Sequence, residues 1–268
     1  MILIAKAFVM GLVEGLTEFL PVSSTGHLIL TGAFLNYPGA QRVTMEIFIQ
    51  MGAILAVFWH YRAELIDVGS RVSRDAAARA LILKVILAFL PAALVGLLLH
   101  HAIERSLFTP RSVAAALILG GVVILVVDRS RQRAAVESIE ATGWGAAFWV
   151  GVAQIASLAP GVSRAGATIV GGLLVGLSRS AATQFSMYLA LPTVSAASLL
   201  SLFEALPLLG KGDVAPLVVG FVTAFAAALV VIRSFLVYIR AHDLRVFGHY
   251  RIALGAVVYL VLGRPRAW

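Results

Sequence analysis

Apolar residues in this chain fall into runs long enough to cross a bilayer, and such runs recur from one end of the sequence to the other. Read in order, they predict helical spans near Met45 to Tyr61, Ala80 to Leu99, Val113 to Val127, Ala181 to Phe203, Val214 to Ile239 and Ile252 to Leu262, six in all. Two further stretches, Ile2 to Leu35 and Trp144 to Leu177, are apolar but broken in the middle by Pro, Gly, Ser and charged residues. Each reads as a pair of half-helices around a non-helical turn, which a membrane tolerates only where the open backbone is buried in protein or lines a cavity. The expected fold is all-α: a polytopic membrane protein with six transmembrane helices and two re-entrant broken-helix hairpins, built as one integral membrane domain over residues 1–268.

The two broken stretches match each other. Displacing the sequence by 140 residues puts Phe8 on Phe148, Gly11 on Gly151, Glu14 on Gln154, Thr17 on Ser157, Val22 on Val162, Ser23 on Ser163, Gly26 on Gly166 and Ile29 on Ile169. Each stretch precedes three spans, an odd number, so re-entrant hairpins require the second copy to sit upside down relative to the first. The expectation is an inverted repeat, residues 1–128 and 143–264, with a site where the broken helices meet.

Composition agrees. The 268 residues are 60% hydrophobic and 13% charged, and the mean hydropathy of +0.97 is far above what a water-soluble domain presents to solvent. Cysteine is absent, which excludes disulfides, thiolate metal sites and cysteine nucleophiles. In a soluble protein the formal net charge of +8 would suggest nucleic acid. In a membrane protein it reads as topology and contact with anionic bilayer lipids, and no nucleic-acid partner is expected. Glu14 and Glu18 interrupt what would be the apolar core of a signal peptide, so the amino-terminal stretch is read as mature structure.

Arginine placement gives an orientation. Arg62, Arg71, Arg74 and Arg79 follow the first span, Arg129, Arg131 and Arg133 the third, Arg240 and Arg245 the fifth. These connections share one face, expected to be cytoplasmic, which puts the termini and the mouth of the first hairpin outside. Arg264 and Arg266 run against that rule.

The polar residues of the two breaks carry the candidate chemistry. In the first, Glu14 and Glu18 lie four apart on one helix face, where two like charges repel. Intramembrane carboxylates cost at least roughly 2.5 kcal/mol each, so the pair invites a cation, a shared proton or a basic partner. Their oxygens suit a hard divalent cation, Mg²⁺ or Ca²⁺; a watery mouth or an arginine cap would also account for them. Ser23, Ser24 and Thr25 follow Pro21. Capping a half-helix resuming near Gly26 explains at least one of these hydroxyls, and the same amino terminus with its hydroxyls is a seat for an anion such as phosphate. His27, beside them, suits general acid–base or nucleophilic work. In the second break Arg164 stands inside a span-length apolar stretch, flanked by Ser163 and Thr168. Its guanidinium needs an anion, either phosphate or one of the glutamates.

The segments EGLTEFLPVSSTGHL and PGVSRAGATIVGGLLVGLSR resemble the two signature regions of the undecaprenyl-diphosphate phosphatase family, the bacitracin-resistance membrane proteins, and the likeness in length and span order covers essentially the whole chain. The resemblance implies metal-assisted hydrolysis of undecaprenyl diphosphate to undecaprenyl phosphate and phosphate. That reaction recycles the carrier lipid for peptidoglycan and other cell-wall polymers in the bacterial inner membrane, with the site opening to the periplasmic face. Carried across by position, Glu14 and Glu18 match the acidic pair, Ser24 and His27 the nucleophile or acid–base residues, and Arg164 with Ser163 and Thr168 the phosphate-binding element. One departure is Ala165, where family members often have serine. A homodimer is compatible with this reading. The rival class is a transporter or lipid flippase, since inverted repeats with broken helices are common there; the SSTGH cluster favours an enzyme.

Overall fold

The computed structural model describes residues 1–107, 109–129, 136–205 and 213–262; Arg131, Arg133, Arg264 and Arg266 lie outside them. The elements are α1 (Ile2–Thr17), α2 (Ser24–Phe34), α3 (Gly39–His60), α4 (Arg62–Arg71), α5 (Ala76–Leu107), α6 (Pro110–Arg129), α7 (Trp144–Ile155), a short 3-10 turn (Ala156–Leu158), α8 (Arg164–Leu174), α9 (Arg179–Ala205), α10 (Val214–Ala241) and α11 (Arg245–Leu262). Among the described residues there is no β-strand, only an isolated bridge between Val136 and Leu177.

Among the described residues six helices are long and apolar enough to cross a membrane: Gln41–His60, Ala76–Leu99, Pro110–Arg129, Arg179–Phe203, Val214–Ala241 and Arg245–Leu262. The chain is a multi-pass, all-α membrane protein. Apolar side chains such as Leu94, Leu98, Leu119, Val230 and Val237 stand exposed on the outside of the bundle, as a lipid-facing surface requires. The six spans follow the apolar runs with extensions at their ends. The largest difference is α11, which begins at Arg245, seven residues before the apolar run at Ile252. Its start is fixed by polar groups that hydropathy does not register. Asp243 accepts the Arg245 N–H at 3.1 Å, and the Leu244 N–H reaches Asp128 Oδ2 on α6 at 3.2 Å. The arginine-rich connection after α3 is also more ordered than its sequence suggests: it forms α4, where Arg71 pairs with Asp67 and Asp75 one turn to either side.

The two broken stretches are the helix pairs α1–α2 and α7–α8. At 1.5 Å per residue the longest of the four, α1, spans only about 24 Å, short of the ~30 Å hydrocarbon thickness. Each pair therefore needs partners. Gly11 of α1 lies so close to α10 that a Cβ would sit 2.3 Å from the Gly220 carbonyl oxygen, and Gly151 of α7 lies against α5, where a Cβ would sit 2.4 Å from that of Ala88. Small residues at both contacts let the backbones meet, which is how helices gain dispersion energy in lipid.

The packing repeats with the 140-residue offset. α1 lies on α10 as α7 lies on α5; α10 lies on α3 as α5 lies on α9; α3 meets α9 and α6 meets α11. Each of these four kinds of contact maps onto another, or onto itself, under the offset, whereas α8 on α9 and α1 on α3 have no counterpart of similar extent. Phe19, Val57, Ala88, Ile169, Phe185 and Ile232 form the central core, and side-chain hydrogen bonds tie the helices internally, Ser198 donating to Gln50 Oε1 at 3.1 Å and Thr193 to Gln154 Oε1 at 3.3 Å.

Candidate active site

The turns that end α1 and precede α8 share an unusual backbone. Ser23 has φ 70° and Ser163 has φ 71°, the same conformation at positions 140 residues apart. Side chains rarely adopt positive φ, and such positions cost about 1–3 kcal/mol, held only where the surroundings impose them. Each serine stands at the N-cap of a short helix. Ser163 Oγ accepts the Gly166 N–H at 3.0 Å and caps α8. Ser23 makes no such bond to α2, and its Oγ is buried without a partner.

Between the two turns the predicted residues of both halves come together. Arg164, at the start of α8, donates from Nη2 to Glu18 Oε1 at 3.2 Å. Ser24, at the start of α2, donates to Glu18 Oε2 at 2.7 Å. Arg164 Nη1 donates to the Ser186 carbonyl of α9 at 3.0 Å, and its guanidinium lies 5.6 Å from the centre of the Phe19 ring. Thr168 donates to the Arg164 carbonyl at 2.8 Å and exchanges a 2.6 Å hydrogen bond with the Ser186 hydroxyl. Thr168 thus steadies the first turn of α8 from behind, while Thr25, half-buried on the first turn of α2, enters none of these contacts. Glu14 is fully enclosed one turn before Glu18.

Arginine as the partner of Glu18 was one of the readings open from sequence, and it holds in this structure without satisfying the site. Six buried side-chain atoms among the described residues have no hydrogen-bond partner, and three of them are Glu14 Oε2, Ser23 Oγ and Arg164 Nε. Leaving a buried polar atom unpaired costs roughly 1–3 kcal/mol, more when it is charged. The three belong to Arg164 itself and to residues four and five positions from Glu18, two able to donate to an oxyanion and one an acceptor, and a polar ligand would satisfy such atoms.

His27 faces a different partner. Its Nδ1 lies 2.8 Å from the Ser23 carbonyl oxygen, which can only accept, so Nδ1 carries the proton. Its Nε2 lies 2.6 Å from the Tyr250 hydroxyl of α11, and the two rings stack at 9° with centroids 5.6 Å apart.

Arg251, the next residue, points the other way and is 1% exposed. Its guanidinium donates to the Pro21 carbonyl at 3.3 Å and the Gly161 carbonyl at 3.0 Å, one from each turn and 140 residues apart, and to the Ala116 and Leu117 carbonyls of α6. Gly120 makes room for it: a Cβ there would lie 2.2 Å from Arg251 Nη2. Ser186, Tyr250 and Arg251 are the site residues that sequence reasoning missed. For Arg251 a signal existed, an arginine less than two helical turns into a span, but the apolar run placed it just outside.

The chain matches the family model described as bacitracin resistance protein BacA over residues 7–257. It is 46% identical over 259 residues to the undecaprenyl-diphosphatase of Nitrosomonas eutropha, covering 97% of this chain and 94% of that protein. To the undecaprenyl-diphosphatase of Dechloromonas aromatica it is 48% identical over 257 residues, with coverage of 96% and 94%. To that of Caldanaerobacter subterraneus subsp. tengcongensis it is 42% identical over 263 residues, with coverage of 98% and 97%. With the match running from the first helix pair into the last span, the chain belongs to the bacitracin resistance protein BacA family.

Proposed function

We infer that this chain is an integral membrane phosphatase that hydrolyses undecaprenyl diphosphate to undecaprenyl phosphate and inorganic phosphate, recycling the carrier lipid and conferring bacitracin resistance. The observation that carries the reading is the buried meeting of Glu18, Ser24 and Arg164 from two hairpins, beside the unpartnered Glu14 Oε2, Ser23 Oγ and Arg164 Nε.

The two hairpins are re-entrant and belong to halves of inverted topology, a reading supported by their short helices and the exchange of packing partners. The protein lies in the bacterial inner membrane with Arg62, Arg71, Arg74, Arg79, Arg129, Arg240 and Arg245 on the cytoplasmic side, so the site opens toward the periplasm. There the diphosphate headgroup enters the polar break and the prenyl tail lies along the apolar outer helices.

The free Arg164 Nε and Ser23 Oγ bind oxygens of the terminal phosphoryl group, and Ser163 and Thr168 hold Arg164 and its helix in place. Ser24 Oγ attacks the terminal phosphorus as its proton passes to Glu18 Oε2, already at hydrogen-bond distance. Undecaprenyl phosphate departs, and water then hydrolyses the phosphoserine to release phosphate; His27 moves protons to the leaving oxygen and from the incoming water. Positioning and a preorganised positive field supply most of the acceleration, as in phosphoryl transfer generally.

Glu14 and Glu18 fit a divalent cation, Mg²⁺ or Ca²⁺. Glu14 Oε2 is a buried carboxylate oxygen without a partner, the donors are hard oxygens, and, since no cluster of three ligating side chains occurs among the described residues, substrate oxygens would complete the shell. Such an ion would offset the charge of the diphosphate.

The test is phosphate release by purified protein from prenyl diphosphates of several chain lengths, with and without EDTA. Release that is fastest for long chains and abolished by chelation is expected. Binding without product would support the transporter rival, and activity untouched by EDTA would remove the metal.

A further inference from the structure

Tyr250 has no place in the mechanism above, yet its hydroxyl touches the one nitrogen through which His27 can work. Because the Ser23 carbonyl takes the Nδ1 proton, only Nε2 can accept or release a proton, and Nε2 lies 2.6 Å from the Tyr250 oxygen. A phenol both donates and accepts. It donates to the bare Nε2 of a neutral imidazole and accepts from the Nε2–H of an imidazolium, so the contact survives both states of His27. Tyr250 is 46% exposed, whereas Arg251 beside it is locked onto the carbonyls of both turns and α6. The same helix thus ties down the Pro21 turn before α2 and presents a hydroxyl, from the outer surface of the bundle, to the His27 ring.

We propose that Tyr250 holds the His27 ring in the Nδ1–H tautomer and relays protons between Nε2 and the phosphate or water. The proposal rests on the phosphatase reading. When the prenyl phosphate leaves, the imidazolium Nε2–H passes its proton to the Tyr250 oxygen while the phenol proton goes to the departing oxygen. When water attacks the phosphoserine, the water proton goes to the Tyr250 oxygen while the phenol proton goes to Nε2. In each step one proton arrives and one leaves, so the phenol stays neutral and no phenolate forms.

The experiment compares wild type, Tyr250→Phe, His27→Ala and the double variant in detergent with undecaprenyl diphosphate, reading kcat and KM separately. Tyr250→Phe keeps the ring and its stacking and removes only the hydroxyl. The expected result is a fall in kcat of about tenfold or more, the lower part of what a general acid–base contact supplies, with KM within about twofold. In the His27→Ala background the same change should have no effect, because the relay has lost its terminus. A merely structural role would give additive losses.

Wild-type kcat for Tyr250→Phe, or full additivity in the double variant, overturns the proposal while leaving the phosphatase reading intact. A wild type that releases no phosphate overturns both, and His27→Ala at wild-type rate overturns the relay while leaving phosphate release itself intact. If Tyr250→Phe does not fold, fluorotyrosines at position 250 keep ring and hydroxyl while making the phenol more acidic. A kcat that shifts with fluorination supports the relay, and a flat response sinks it.

Discussion

Ser23 and Ser163 occupy the same backbone conformation in turns 140 residues apart, yet only Ser163 spends its hydroxyl on the helix that follows. The difference extends along both hairpins. The first carries Glu14, Glu18, Ser24 and His27; at the matching positions the second has Gln154, Leu158, Arg164 and Ala167. One helix pair provides carboxylates, a hydroxyl and an imidazole, while the other provides the guanidinium that pairs with Glu18. The asymmetry has a physical reason: a pair of identical half-sites would place like charges together in a low-dielectric interior, where their repulsion is largest.

The division is best tested where its parts are least alike. Replacing Ser24 with Ala, which removes the proposed nucleophile, should lower kcat at least about 10⁴-fold, since deleting an attacking hydroxyl is among the most damaging changes an active site can suffer. If water attacks instead, the variant loses one hydrogen bond to Glu18 and about tenfold in rate, which steady-state kinetics separates clearly. Arg164→Ala should cost about 10³-fold through lost stabilisation of the phosphoryl oxygens. It should also destabilise the fold by about 3–5 kcal/mol, because Glu18 is left buried and unpaired. Arg164→Lys should restore stability better than rate, since an ammonium pairs with Glu18 but lacks the planar fork.

A smaller effect comes from making the halves more alike. Gln154 sits where the first hairpin has Glu14, with Oε1 bound by Thr193 and Nε2 unpartnered. Gln154→Glu puts a carboxylate there with no nearby guanidinium among its contacts. Thermal unfolding in detergent should register a loss of about 2.5 kcal/mol, and a gain in stability would contradict the account of why the site is one-sided. Smallest of all is the contrast between the two serines. Ser163→Ala removes an N-cap bond and should cost about 1 kcal/mol of stability. Ser23→Ala removes a hydroxyl with no partner in the protein and should leave stability level or slightly higher, while raising KM for the diphosphate.

Much of this was legible in the sequence, for reasons that can be named. A span is a local property, so the apolar runs disclosed the six crossing helices, and charged residues in the interrupted stretches stood out because lipid makes them costly. The pairing of Arg164 with a glutamate was one of the readings left open, and the structure selects Glu18. What could not be read depends on distant neighbours. Whether Ser23 or Ser163 caps its helix is decided by the surrounding backbone, and the dipeptides around them are similar. Tyr250 and Arg251 stand more than 220 residues from His27 and Pro21, with which they pair. They lie in the polar first turns of α11, where hydropathy ends the span too early because it counts transfer cost and cannot see four waiting carbonyls.

The guanidinium of Arg251 has a mechanical consequence. It is a rivet that grips the Pro21 turn, the Gly161 turn and α6 at once. Rocking one half against the other would shear several charge-assisted bonds in a place where water cannot replace them. The frame around Glu18 and Arg164 is therefore stiff, and a ligand is expected to reach them without the two turns parting.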